Sequence, residues 1–182
     1  MLENAVLITG AAHRIGAQIA KTLHHAVYSI LIHYRDSEEG AFALTESLNS
    51  IRPNSALSCR AELCEANDVI QLAEHVKEVA YLVGLVNNAS SFYPTKIGSV
   101  TEKNWHELIG SNLKAPFFLS QALVPHLKET NGNIINIVDI HSSSPLKDHA
   151  PYSIAKAGLV MLTKSFALEL GPEIRVNGIS PG

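Results

Sequence analysis

The chain has 182 residues with a formal net charge of −3, and 46% of them are hydrophobic against 17% charged, which excludes intrinsic disorder and predicts one domain over residues 1–182. Because the charges are scattered and the apolar runs are short, neither nucleic acid nor a membrane is expected as a partner. Glu3 lies where a signal peptide carries basic residues, and the two cysteines form no C-x-x-C pair. We therefore expect a cytoplasmic protein.

Short aliphatic runs alternate along the chain with longer segments of helical period, which is typical of repeated βαβ units. Parallel strands buried on both faces have continuous apolar sequences, so the fold class is α/β, a doubly wound parallel sheet in a three-layer αβα arrangement. Six strands are predicted at residues 5–9, 27–33, 55–59, 84–86, 133–138 and 174–179. Five helices are predicted at residues 15–24, 38–48, 68–79, 102–129 and 152–170.

The long helix at residues 102–129 carries two local signals. Ser99 followed by Glu102 predicts a capping box at its start, and Pro116 predicts a kink or a break near Asn112. After the last strand, residues 180–182 read Ser-Pro-Gly, which is turn sequence with nothing to follow it. This ending predicts that the sequence is a fragment of a longer protein.

The turn after the first strand has the composition of a phosphate site. It reads Thr-Gly-Ala-Ala-His-Arg-Ile-Gly over residues 9–16. Gly10 permits a tight turn, and Gly16 allows close packing, so the helix N-terminus can direct backbone N–H groups at a pyrophosphate. Arg14 replaces the middle glycine of this motif, and a glycine-containing turn without a ligand is the alternative interpretation.

The residues after the second strand bear on the choice of cofactor. A 2′-phosphate requires guanidinium and hydroxyl donors, whereas a free 2′-hydroxyl requires a carboxylate acceptor. Arg35 and Ser37, with Arg14 reaching across from the first turn, favour NADPH. Asp36 is the counter-evidence, because it offers the carboxylate of an NAD site.

Tyr152 and Lys156 are four residues apart on a predicted helix, so their side chains share one face. This helix follows the fifth strand and begins near the carboxyl edge of the sheet, where open α/β sheets bind ligands. A neighbouring ammonium favours the phenolate and lowers the pKa of a tyrosine. The pair is therefore a candidate for general acid–base catalysis.

Several motifs occur together in a fixed order: Thr9-Gly10-x-x-x-Arg14-x-Gly16, Asn87-Asn88-Ala89, Asn112, Tyr152-x-x-x-Lys156 and Pro181-Gly182. In this order and spacing the whole chain resembles the short-chain dehydrogenase/reductase family. The resemblance implies a Rossmann-type sheet, with a final strand and a substrate-covering loop missing from this sequence. It also implies a homotetramer formed through the long helix and the helix that carries Tyr152.

The resemblance further implies roles for individual residues. Tyr152 would donate the proton, Lys156 would hold the nicotinamide ribose and lower the tyrosine pKa, and Asn112 would order a water in the proton relay. Glu62 would meet the adenine amine in place of the usual aspartate. The implied NADPH-binding residues are Gly10, Arg14, Ile15, Gly16, His33, Tyr34, Arg35, Ser37, Glu62, Leu63, Asn88, Ala89, Ser90, Tyr152, Lys156, Pro181 and Gly182.

The end of the fifth strand departs from the family's usual pattern. Most relatives carry a serine where this chain has Asp139, thirteen residues before Tyr152. With Arg14, the pair at 33–34 and the run at 87–95, this aspartate makes the chain similar to the pteridine reductases. In that subgroup Phe92 would stack on the pterin, Ser90 would contact its ring, and Asp139 and Tyr152 would titrate as a coupled pair.

Three functions remain open on the sequence. The first is an NADPH-dependent reductase of a dihydropteridine or dihydrofolate, with hydride transfer to a ring carbon and the proton supplied through Tyr152. The second is a carbonyl reductase of 3-oxoacyl substrates, which the missing serine disfavours. The third is a catalytically silent NADP-binding module.

Hydrolysis and metal binding have no support in the sequence. The chain contains neither a G-x-S-x-G nor an H-E-x-x-H motif, and its cysteines and histidines lack ligand spacing. Most of the nine histidines are expected to have structural or surface roles. His141, two residues beyond Asp139, is left without a role.

Overall fold

The computed structural model describes residues 1–181. Six strands form one sheet in which every pair of neighbours is parallel. The strands are β1 (Leu2–Ile8), β2 (Ser29–Tyr34), β3 (Ala56–Arg60), β4 (Ala80–Asn87), β5 (Asn133–Ile137) and β6 (Arg175–Ile179). The helices are α1 (Arg14–His25), α2 (Glu38–Ile51), α3 (Ala66–Val79), α4 (Glu102–Ile109), α5 (Ala115–Glu129) and α6 (Ala150–Leu170). The predicted α/β class is confirmed.

The strand order β3-β2-β1-β4-β5-β6 places the reversal of winding between β1 and β4. The chain first moves outward from β1 to β3, and the connection through α3 then returns it to the other side of β1. Loops leaving β1 and β4 therefore diverge at the carboxyl edge of the sheet. In open α/β sheets a ligand-binding crevice forms at this point.

Two apolar clusters cover the two faces of the sheet, because alternate strand residues point to opposite sides. On one face, Leu7 and Leu85 pack with residues of α3, α5 and α6. On the other face, Ile8 and Ile30 pack with residues of α1 and α2. The strands therefore have apolar residues on both sides, which explains their continuous hydrophobic sequences.

The predicted long helix is interrupted where the sequence indicated. A π-helical segment at Gly110–Lys114 separates α4 from α5 and contains Asn112. No helix within residues 1–181 has both the length and the apolar composition required to cross a membrane.

The predicted capping box at Ser99 and Glu102 is wrong. Helix α4 begins at Glu102, so Thr101 is the N-cap, and its Oγ1 accepts from Asn104 N at 3.2 Å. Asn104 Oδ1 accepts in return from Thr101 N at 3.0 Å. The Ser99 hydroxyl donates to the Lys96 carbonyl in the preceding turn, which removes it from the helix end.

Candidate active site

A cavity of about 520 Å³ lies at the carboxyl edge of the sheet, between the loops that leave β1 and β4. Most of the predicted cofactor residues line it: Gly10, Arg14, Ile15, Gly16, His33, Tyr34, Arg35, Ser37, Glu62, Leu63, Asn88, Ala89 and Ser90. The predicted substrate residue Phe92 also lines it, as do residues that the sequence did not single out, among them His13, Ser91 and Ser111.

The turn after β1 leaves no room for side chains at its two glycines. Gly10 has φ +62°, and a Cβ there would lie 2.9 Å from Ala89 Cα. A Cβ on Gly16 would lie 2.5 Å from the Gly10 carbonyl oxygen. These approaches bring the turn, the start of α1 and the loop after β4 into contact, as a close-fitting dinucleotide site requires.

The N-terminus of α1 is suited to an anion. The side chain of its N-cap residue, His13, makes no capping hydrogen bond, and the first turn contains no acidic residue. The first N–H groups of a helix have no partner within the helix, and the helix dipole favours negative charge there. Arg14 adds a formal positive charge at this position and adopts φ +50°. This arrangement fits the pyrophosphate of a dinucleotide.

Thr9 fastens the loop after β4 to the turn after β1. Its Oγ1 accepts from the backbone N of both Asn88 and Ala89 at 2.9 Å. The Asn88 side chain donates to the carbonyls of Thr9 at 2.9 Å and Gly10 at 3.1 Å. The Asn88 side chain therefore fixes the loop after β4 against the turn after β1, and Ala89 lines the cavity between them.

His33 connects the ends of three strands. It is 2% exposed, its Nδ1 accepts from Gly10 N at 3.1 Å, and its Nε2 donates to the Ala61 carbonyl at 3.1 Å. Burial lowers the pKa of His33 to about 4, so the ring is neutral. Since both ring nitrogens bond to the backbone, the ring itself sets the shape of the cavity.

Arg35 lies in a ring of three carboxylates. Its Nε donates to Asp36 Oδ2 at 2.7 Å, and Glu62 Oε2 and Glu107 Oε1 lie 3.7 Å and 4.0 Å from the guanidinium. Asp36 is the more exposed partner, at 71% of its side chain. Asp36, which favours NAD in the sequence analysis, is thus paired with Arg35, which favours NADPH.

The remaining residues of this part of the cavity are held by local contacts. The Tyr34 hydroxyl donates to Glu38 at 3.4 Å, and burial raises the pKa of Tyr34. Ser37 is the N-cap of α2 with no side-chain capping bond. Glu62 Oε1 accepts from Cys64 N at 3.0 Å, and Leu63 is buried in the core.

Asp139 and Tyr152 form the shortest contact of the candidate acid–base group. The Tyr152 hydroxyl donates to Asp139 Oδ2 at 2.6 Å, and Asp139 Oδ1 accepts from His141 N at 2.8 Å. Partial burial raises the pKa of Asp139, but these two hydrogen bonds together with the charges of His141 and Lys156 outweigh it and lower the pKa. The carboxylate is therefore ionised and accepts from the phenol.

The pKa of Tyr152 is raised in this structure, and the expected lowering effect of Lys156 on it stays a prediction. Burial, followed by the hydrogen bond to Asp139 and the charge of that carboxylate, raises the pKa of Tyr152 above its usual value. Lys156 Nζ lies 5.7 Å from the centroid of the phenol ring and donates to the Ile137 carbonyl at 2.9 Å. The carboxylate is hydrogen-bonded to the Tyr152 hydroxyl at 2.6 Å, whereas Lys156 donates to a backbone carbonyl instead, so the effect of the carboxylate dominates.

Lys156 is itself strongly affected by burial. It is 3% exposed, and burial lowers the pKa of its ammonium to about 8, with the charge of Asp139 acting in the opposite direction. A buried lysine with this pKa exchanges protons near neutral pH.

Asn112, in the π-helical segment, anchors the loop after β4 through hydrogen bonds of its side chain. Its Nδ2 donates at 2.9 Å to the carbonyls of Leu108 and Ser91, and its Oδ1 accepts from Ser90 Oγ at 2.7 Å. Asn112 is 1% exposed. It therefore positions Ser90 in the cavity wall, and its predicted contact with a relay water stays a prediction.

Phe92 lies beside the acid–base group. Its ring centroid is 4.8 Å from that of Tyr152 in an edge-on arrangement and 4.7 Å from that of His149 in a stacked one. The sequence predicts only a structural or surface role for His149, because a lone histidine before a helix carries no pattern. Phe92 lines the cavity, whereas the predicted cofactor residues Tyr152 and Lys156 are not among its lining residues. Phe92 therefore connects the cavity with the acid–base group.

Pro181 is exposed just beyond β6, at the same edge of the sheet, and Gly182 lies outside the described residues. Within residues 1–181, no group of three or more histidine, cysteine, aspartate or glutamate side chains could hold a metal ion.

Comparison with known proteins agrees with this geometry. Residues 4–182 match the short chain dehydrogenase family. Pteridine reductase 1 of Leishmania tarentolae is 36% identical, over 97% of this chain and 75% of that protein. The 3-oxoacyl-[acyl-carrier-protein] reductase FabG of Staphylococcus aureus is 32% identical, over 100% of this chain and 74% of that protein. Since the family match extends over nearly the whole chain, this protein belongs to the short-chain dehydrogenase/reductase family of oxidoreductases.

Proposed function

We propose that this protein is an NADPH-dependent reductase of a dihydropteridine or dihydrofolate. The observation that carries the proposal is the 2.6 Å hydrogen bond from the Tyr152 hydroxyl to Asp139 Oδ2, beside the exposed ring of Phe92. Reduction of a ring C=N bond places a hydride on carbon and a proton on nitrogen. NADPH supplies the hydride when it is bound.

Tyr152 is the proton donor in this proposal. Its raised pKa keeps the phenol protonated at neutral pH, so a proton is present at the hydroxyl when a ring nitrogen becomes basic. Asp139 orients the hydroxyl, and the two side chains share one exchangeable proton as a coupled pair.

Lys156 stabilises the pair after the proton has left. Loss of the phenol proton beside an ionised carboxylate creates two adjacent negative charges, which is unfavourable without a cation. The buried ammonium of Lys156 is the nearby cation of the acid–base group. The aspartate thus makes the lysine more necessary than it would be beside a neutral serine.

The preference for NADPH rests on formal charge at the far end of the cavity. Arg14 and Arg35 both line it, and the hydroxyl of Ser37 is free of capping. Asp36 pairs with Arg35 at 2.7 Å through one carboxylate oxygen, so the guanidinium partly offsets its negative charge. A 2′-phosphate that binds Arg35 would take the place of this partner.

A flat heteroaromatic substrate fits the aromatic side of the cavity. Phe92 is 54% exposed, and such a ring gains by stacking on a pterin. The edge of the same ring contacts Tyr152. A substrate stacked on Phe92 would therefore lie within reach of the proton donor.

Reduction of a 3-oxoacyl thioester is the second candidate, and the 32% identity to FabG favours it. The carboxylate at position 139 argues against it, because an anion repels the developing alkoxide of a ketone.

A substrate panel on the full-length gene product tests the proposal. Dihydrobiopterin, dihydrofolate and an acetoacetyl thioester are each assayed at equal concentration with NADPH and with NADH. We expect turnover of the dihydropterins with a strong preference for NADPH. Turnover of the thioester alone, or NADPH binding without any turnover, would overturn the proposal.

A further inference from the structure

Glu107 binds the loop after β4 on both sides of Phe92, and no sequence pattern predicts this role. It lies on α4, one turn before the π-helical segment. Its Oε1 accepts from Ser91 Oγ at 3.2 Å, and its Oε2 accepts from the Tyr93 hydroxyl at 3.1 Å. The carboxylate thus bonds to the residue on each side of Phe92.

Glu107 is not a solvated surface charge. Its side chain is 32% exposed, and both carboxylate oxygens have a donor from the loop. Hydrogen bonds to an ionised acceptor are roughly twice as strong as those between neutral groups. The pKa of Tyr93 is raised. Burial is the largest cause, and the hydrogen bond to Glu107 and its charge add to it, whereas the hydrogen bond with Asn104 acts in the opposite direction.

Phe92 has few other contacts that would fix it. Its ring is more than half exposed and contacts the rings of His149 and Tyr152. The backbone before it is anchored where Ser91 N donates to Ser111 Oγ at 3.2 Å. On the other side, Tyr93 is joined to α4 through its hydroxyl, which donates to Glu107 Oε2 at 3.1 Å.

Glu107 also faces the cofactor side of the cavity. Its Oε1 lies 4.0 Å from a terminal nitrogen of Arg35. A carboxylate at this position weakens the attraction of Arg35 for a phosphate. Removal of the negative charge should therefore leave the affinity for NADPH undiminished while it loosens the loop.

We propose that Glu107 is a positioning residue that places Phe92 against Tyr152 and so sets the affinity for the substrate. The proposal rests on the proposed function, because it requires Phe92 to contact the substrate. It assigns Glu107 an effect on substrate KM that is transmitted through Phe92 alone.

A double-mutant cycle tests this assignment in the full-length protein. Glu107→Gln, Phe92→Ala and the double variant are compared for substrate KM, kcat and the Kd of NADPH. Glu107→Gln should raise substrate KM about tenfold, with a smaller change in kcat and no rise in the Kd of NADPH. In the Phe92→Ala background the same substitution should change KM less than about twofold, because its effect is already lost.

Two further variants complete the design. Glu102→Gln, an exposed glutamate on the same helix, should leave all three constants unchanged. Tyr93→Phe removes one of the two hydrogen-bond donors but keeps the Glu107 carboxylate, and it should also raise substrate KM. It replaces Glu107→Gln in the test if that variant does not fold.

The outcomes separate this inference from the proposed function. A wild-type enzyme that reduces only the acetoacetyl thioester would overturn the proposed function, and the same cycle is then measured with that substrate. If the increase in substrate KM in the double variant equals the product of the increases in Glu107→Gln and Phe92→Ala, the proposed role of Glu107 is overturned. A rise in the Kd of NADPH as large as the rise in KM would also overturn it.

Discussion

Asp139 controls the protonation of Tyr152 more strongly than Lys156 does. A serine at this position could only share a hydrogen bond with the phenol, whereas a carboxylate also adds a negative charge 2.6 Å from the hydroxyl. The result is a tyrosine that holds its proton. The phenol is therefore protonated at neutral pH. Burial lowers the pKa of Lys156 to about 8, against the opposing effect of the Asp139 charge.

Arg14 combines a charge that we propose for phosphate binding with an unfavourable backbone conformation. A non-glycine residue at φ +50° costs roughly 1–2 kcal/mol. Arg14→Gly should therefore exceed Arg14→Ala in free energy of unfolding by about 1 kcal/mol, measured by urea denaturation. Both variants should weaken NADPH binding to a similar extent, because both lose the guanidinium.

The comparison of the two variants separates strain from charge. Equal stability of Arg14→Gly and Arg14→Ala would show that the turn has no strain at this position. Unchanged affinity for NADPH in both would show that the guanidinium does not contact the cofactor.

Sequence reasoning identified residues of the acid–base group that form a pattern, but not those that act through the fold. Tyr152 and Lys156 share a helix face, so their spacing carried the signal. Glu107 and His149 contact residues far away along the chain: Glu107 bonds to a side chain sixteen residues before it. No local spacing reports such a contact.

The α4–α5 junction depends on a close contact with the loop after β3. A Cβ on Gly110 would lie 2.7 Å from Cys64 Sγ, and both residues are buried. Gly110→Ala should therefore destabilise the fold by roughly 1–3 kcal/mol through overpacking, measured by denaturant unfolding.

Removal of the sulfur should reverse this effect. In a Cys64→Ala background, Gly110→Ala should become neutral or stabilising by up to about 1 kcal/mol, because alanine is the better helix former. An equal cost in the two backgrounds would show that the loop moves away freely and that the contact is unimportant.

The break in the long helix was predictable, but its form was not. Pro116 marked a disruption near Asn112, and the structure has a π-helical segment at Gly110–Lys114. The choice of a π-helical turn involves the Asn112 side chain, which donates to the Leu108 carbonyl and to the loop after β4. That second partner belongs to another element, so the local sequence could not reveal it.

The α/β class follows from the alternation of strands and helices, whereas the strand order and the joints between strands do not. Buried parallel strands and amphipathic helices have distinct periods, which made the α/β class predictable. The joint made by His33 depends on three strand ends that meet only in the folded chain.

His33 should make the stability of the whole fold dependent on pH. Burial lowers its pKa from 6.5 to about 4, so between these values the unfolded chain binds a proton that the folded chain excludes. Stability should therefore decrease as the pH falls through this window, by up to about 3 kcal/mol from this residue. Urea denaturation across the window measures the loss.

Two substitutions identify the source of the pH dependence. His33→Gln should lower stability near neutral pH and flatten the pH dependence, so that its difference from the wild type narrows as the pH falls. His75→Gln, at an exposed position on α3, should leave the slope unchanged. A slope that is the same in wild type and His33→Gln would contradict the role of the buried ring.

The most direct test of the account is the turnover of dihydrobiopterin by Asp139→Asn, measured together with its Kd for NADPH. The substitution keeps the shape of the side chain but removes the carboxylate with which, in the proposal, Tyr152 shares its exchangeable proton. We expect kcat to fall by roughly a hundredfold or more, with the Kd of NADPH unchanged. Normal turnover by Asp139→Asn would contradict the central role of the Asp139–Tyr152 pair.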